Sequence, residues 1–161
     1  MGAALIAETN ARRLQSAFRH FPLRMTDLKT KPCLTLDDCK KIAAAAEAEA
    51  GKNNWNVVIA ILDDGGHLLY LQRGDGATPA NAQIAMEKGR TAAISRRSTK
   101  SWEDRIAAGR HAILKMPVLP VQGGMPIMVK GDCVGAVGVS GVQSHEDEQI
   151  ANAGIAALGL S

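Results

Sequence analysis

Aromatic side chains are almost missing from this 161-residue chain: two Trp, one Tyr and two Phe make up 3% of it. A core without large rings is filled by Ala, Gly, Val, Leu and Ile, so its helices and strands must approach one another closely. Cysteine is equally sparse. Cys33, Cys39 and Cys133 form an odd set with no CxxC pair, which excludes a disulfide framework and a structural zinc site and suits reduced thiols in a cytoplasm. No metal site is expected. The apolar runs are too short for a membrane helix, and Ala3-Ala4-Leu5-Ile6-Ala7, followed by Glu8, is too short for a secretory signal. An extended basic tract is also absent. The net charge of +3 comes from acids and bases interspersed along the chain. The compact cluster Arg96-Arg97-Ser98-Thr99-Lys100 reads as a solvated helix end or a subunit contact. Neither nucleic acid nor a membrane is an expected partner.

What remains is enough for one domain. With 46% hydrophobic residues, a chain of this length buries about two-thirds of its unfolded surface. Residues 1–33 stand apart as an N-terminal extension. Arg12, Arg13, Arg19 and Arg24 alternate there with apolar residues, as in a surface helix or an oligomerisation arm. Residues 34–161 form the domain proper.

Within the domain, Thr35 and Asp38 are spaced as a capping box before Leu36, Cys39, Ile42, Ala43 and Ala46, which recur at helical spacing. Asn53-Asn54 ends that helix. Val57–Leu62 is a continuous apolar run of strand composition, and Asp63-Asp64-Gly65-Gly66 turns it into a returning strand from His67 to Leu71. Thr78-Pro79 opens a helix through Ser95 whose Ala82, Ala85, Met86, Gly89 and Ala93 make a small-residue face. Ser98 or Thr99 caps a further helix running from Trp102 towards Lys115, and Pro117 stops it. Strands follow over Pro126–Val129 and Cys133–Val139, with an extra strand suggested at Leu119–Gln122. Ser144 and Asp147 read as a second capping box for a last helix reaching Leu158. Hairpin-joined strand pairs interleaved with helices predict an α/β (α+β) fold, a central antiparallel sheet with packed helices.

Five blocks carry a resemblance: Leu62-Asp63-Asp64-Gly65-Gly66-His67-Leu68-Leu69, Arg73-Gly74-Asp75-Gly76-Ala77, Lys88-Gly89-Arg90-Thr91-Ala92, Gln122-Gly123-Gly124-Met125-Pro126-Ile127, and Val134 to Gly141. In this order and spacing the chain resembles the GlcG/HbpS-like family, also found as the C-terminal domain of some cobalamin adenosyltransferases. The resemblance runs from about Leu34 to the C-terminus. It implies a profilin-like sandwich forming dimers and larger homo-oligomers. For activity it implies haem binding or degradation, a role in cobalamin metabolism, or lyase chemistry on hydroxylamino aromatic acids.

The residues themselves suggest an anion site. Gly135, Gly138 and Gly141 lie within and after a strand, without the GxGxxG spacing that opens a helix, so they serve close backbone packing and not a dinucleotide. Gly123-Gly124 can turn backbone amides towards an anion. Arg73 and Asp75 occupy a loop at the edge of the scaffold. Lys88 and Arg90 lie on the next helix, and Lys88 falls on its apolar face, where it must snorkel, pair with an acid or face a cavity. Convergence of Arg73, Lys88, Arg90, Gly123 and Gly124 would hold a carboxylate, such as a haem propionate or a benzoate. Haem leads as the ligand on the family resemblance. Its axial ligand would come from His20, His67, His111, His145, the cysteines or the methionines. A cofactor-free lyase instead needs an acid and a base, for which His111, Glu87, Glu103 and Asp75 are the candidates. A non-catalytic assembly or sensor subunit would show no pocket around Arg73 and Lys88. No hydrolase or kinase motif is present.

Overall fold

The computed structural model describes residues 30–160; the proposed N-terminal arm and His20 lie outside them, apart from residues 30–33. Helix α1 (Leu36–Lys52) begins as the sequence predicts. Thr35 Oγ1 accepts the Asp38 amide at 3.2 Å, and the Asp38 carboxylate accepts the Thr35 amide at 3.0 Å. Asn53 caps its far end, and Asn54 takes a left-handed conformation that turns the chain into β1 (Val58–Asp63). The Asp63–Gly66 turn returns it as β2 (Leu68–Arg73), held by Asp63 Oδ1, which accepts the Gly65 and His67 amides. Arg73 thus ends a strand instead of lying in the following loop. Helix α2 (Ala80–Ser95) starts just after Pro79, whose own backbone is already helical.

The next segment differs from the sequence expectation. Helix α3 covers only Thr99–Ala107, Gly109 reverses the backbone at φ +92°, and His111–Lys115 forms a separate 3-10 turn. A glycine at positive φ interrupts the helix well before Pro117 does. Leu119–Gln122 is not a strand. Its end amides go to side chains, Leu119 N–H to Thr91 Oγ1 at 2.8 Å and Gln122 N–H to the Glu103 carboxylate at 2.7 Å, and Val121 N–H turns back to the Leu119 carbonyl at 2.9 Å. Pro120 has no amide to give a ladder. Strands β3 (Gly124–Val129) and β4 (Asp132–Ser140) and helix α4 (Ser144–Ala156) complete the domain.

The strands form one antiparallel sheet in the order β2-β1-β4-β3. Alternation along β1 sends Ile59 and Ile61 to one face, where α1 and α4 pack with Ile42, Ile127, Val137 and Ile150. Val58, Ala60 and Leu62 go to the other, under α2. The product is the α+β sandwich expected. Each fully buried isoleucine contributes about 1.5–3 kcal/mol. The small residues set the helix–sheet distance: a Cβ at Gly138 would stand 2.0 Å from the Ala85 carbonyl and 2.5 Å from the Gly89 amide, so α2 lies directly on the backbone of β4.

Candidate functional site

Lys88 sits on the buried face of α2, and Asp147 sits on the buried face of α4, across the sheet. The lysine reaches past the start of β3 and donates from Nζ to Asp147 Oδ2 at 2.7 Å, with both side chains fully enclosed. Gly123 makes this passage. A Cβ there would lie 2.9 Å from Nζ and 2.8 Å from the Asp147 Cβ, and its φ of +119° favours glycine independently. Burial pushes the Asp147 carboxyl above the ordinary range, and the Lys88 ammonium and the Val142 N–H, which also bonds it, do not cancel that effect. Asp147 is therefore not the capping residue that the sequence suggests. Glu146 takes that role, accepting the Gln143 amide at 2.9 Å. The signal was present in the spacing, since Asp147, Ile150, Ala151 and Gly154 share one buried face.

Around this pair the fold gathers Lys88, Gly123 and Gly124, as the anion-site reading requires, yet it leaves little free capacity for an anion. Lys88 is neutralised by Asp147, and the Gly124 amide donates to Thr99 Oγ1 at 2.9 Å. Arg73 does not join them. It is exposed on the edge strand β2, opposite Val58, three strand spacings from β3, or roughly 14 Å. Arg90 turns to the Pro117 carbonyl at 3.5 Å.

The proposed acids and bases lie in separate places. Glu87 accepts from Gln83 on the outer side of α2, Glu103 holds the Gln122 amide, and His111 is exposed at the start of the 3-10 turn. Asp75 lines a cleft of about 260 Å³ with Glu47, Trp55 and Gln72. His67 and His145 are exposed. Among the described residues no group of three His, Cys, Asp or Glu side chains is placed to hold a metal ion.

A larger cleft, of about 400 Å³, opens between the end of α2, α3 and the segment after the 3-10 turn. Its apolar wall is Ile94, Met116, Pro117 and Val118, and its basic rim is Arg97 and Arg105. The Arg105 guanidinium stands 5.3 Å over the Trp102 ring. A chain of hydrogen bonds fixes the walls: Trp102 Nε1 donates to Ser95 Oγ at 3.0 Å, Ser95 Oγ to the Thr91 carbonyl at 2.6 Å, and Leu119 N–H to Thr91 Oγ1. Among the described residues, neither arginine is paired with a carboxylate. In the sequence Arg97 belongs to a cluster that reads as a solvated helix end or a subunit contact. Only the break at Gly109 returns the chain so that Met116 and Pro117 face it.

Comparison with known proteins places this architecture. A family model described as haem degrading protein HbpS-like matches residues 34–156. The chain belongs to the HbpS-like family. Protein GlcG of Escherichia coli K12 is 49% identical over 114 residues, covering 70% of this chain and 85% of GlcG. The crystal structure of a double mutant of Streptomyces reticuli HbpS superposes with a TM-score of 0.78 at 34% identity, covering 86% of this chain and 96% of that one. A crystal structure of PduOC in complex with haem gives a TM-score of 0.74 at 25% identity, covering 81% and 98%. All five sequence blocks lie inside the HbpS-like match.

Proposed function

We propose that this HbpS-like domain binds haem or a related tetrapyrrole in the cleft between α2 and α3. The observation that carries the reading is a fixed apolar cleft rimmed by two guanidinium groups that, among the described residues, have no acidic partners. A tetrapyrrole is a flat apolar macrocycle with carboxylate arms. Ile94, Pro117 and Val118 offer a surface for the ring, Arg97 and Arg105 suit the carboxylates, and the Met116 thioether is a recognised type of iron ligand. The volume accepts one edge of the ring. The family description and the haem complex of PduOC support the choice of ligand.

Titrating the purified protein with haem while following the Soret band tests this. Saturable one-to-one binding is expected, weakened about tenfold by Arg97→Ala or Arg105→Ala, and Met116→Leu is expected to shift the band. Non-saturating adsorption, or binding indifferent to all three changes, would overturn it.

The same reading includes a homo-oligomer. Among the described residues strand β2 is an open edge, with Leu68 47% and Leu69 42% exposed. Unpaired ladder groups beside exposed leucines favour pairing with a second copy. Sedimentation velocity should show a dimer or larger species that Leu68→Glu dissociates.

A further inference from the structure

We propose that the cleft between α1 and β2 is a second binding site, for a small organic ammonium ion carrying an apolar body. It lies on the α1 face of the sheet, whereas the arginine-rimmed cleft lies beyond α2, so this inference does not depend on the tetrapyrrole reading.

The cleft combines an apolar floor, an indole and negative charge of one sign only. Ala50 and Ile59 form the floor, and Trp55 stands half-buried beside them. Glu47 and Asp75 supply two carboxylates, and the Gln72 side chain adds an amide. Neither carboxylate is in a salt bridge among the described residues, and no Lys, Arg or His lines the space. The nearest cations in sequence are engaged or turned away. Lys52 bonds Glu49 at 2.6 Å, and Arg73 alternates to the opposite face of β2 from Gln72. The cleft also sits at the negative end of the dipole of the 17-residue helix α1, whose Ala50 and Gly51 carbonyls are bonded by the Asn53, Asn54 and Trp55 amides.

These features select the ligand chemistry. An anion would face two carboxylates and a helix C-terminus, which excludes the benzoate and propionate groups expected elsewhere. A bare metal ion would need a cluster of ligands that the described residues do not form. An ammonium group placed between Glu47 and Asp75 gains both charges, and an indole attracts it further through its π face. Its hydrocarbon body would displace water from the floor. The volume of about 260 Å³ falls just under the usual range for drug-sized pockets, so the ligand is small.

The test uses phenethylammonium as the probe, with 2-phenylethanol and phenylacetate as neutral and anionic probes of the same shape. The chain has two tryptophans, so the Trp102→Phe variant leaves Trp55 as the sole indole reporter. Phenethylammonium should change Trp55 fluorescence saturably and the other two should not. Glu47→Gln and Asp75→Asn, each checked for a cooperative thermal transition, should weaken the response about tenfold. An equal response to the alcohol, insensitivity to both variants, or no saturation into the millimolar range would each overturn the proposal. Haem titration of the parent protein, with Trp102 of the other cleft intact, is read separately at the Soret band, so either site can fail alone.

Discussion

Lys88 and Asp147 stand on helices packed against opposite faces of the sheet, yet their charged atoms meet at 2.7 Å inside the core. The pair ties α2 to α4 through the gap left by Gly123. Two ions removed from water are stable only together, since each supplies the field that compensates for the other's lost hydration.

Removing one partner should therefore be severe. Lys88→Met is expected to destabilise the fold by about 3–5 kcal/mol, and Lys88→Met combined with Asp147→Leu should recover much of that loss. Urea denaturation midpoints of the single and double variants give the comparison. A double variant as unstable as the sum of the singles would show that the pair does not couple.

The same pair predicts a pH dependence. Burial raises the Asp147 carboxyl in the folded chain above its unfolded value. For a raised pKa, the stabilisation is full below the unfolded value, near about pH 4, and is lost as pH rises through the folded value. Lys88→Met removes the cation that holds the value down, so it should rise further. The stability gap between the variant and the parent should then open as pH rises past the parent's folded Asp147 value, so that it is larger at neutrality than near about pH 4. Equal gaps across that range, measured by denaturation at each pH, would contradict this.

Gly138 gives a packing prediction. An added Cβ would meet the Ala85 carbonyl at 2.0 Å, and backbone cannot swing aside as a flexible side chain does. Gly138→Ala should cost at least the 1–3 kcal/mol or so typical of overpacking. The alanine change at Gly131, whose Cβ would meet nothing within 4 Å, is strained only by its φ of +92°. Thermal melts should rank Gly138→Ala as the more damaging.

Much of the fold was legible from local pattern. The Thr35–Asp38 box, the Asp63–Gly66 hairpin and the small-residue face of α2 are short-range features, fixed by spacing and by backbone chemistry that neighbours in sequence already determine. The close approach at Gly138 follows from a core with few rings. The missing strand at Leu119–Gln122 was less visible, because Thr91 and Glu103 capture its Leu119 and Gln122 amides from elsewhere in the chain.

By itself the sequence determined the family, the order of helices and strands, and the presence of a lysine on an apolar face, left to snorkel, pair with an acid or face a cavity. Only the tertiary structure decided for the acid and which one, because Asp147 lies 59 positions away and is reached around the end of a sheet. It also separated Arg73 from Lys88 by the strand order, and brought Arg97, Trp102 and Met116 to one cleft through a turn at Gly109. Side-chain types are written along the chain, but convergence depends on distances that only the folded backbone sets.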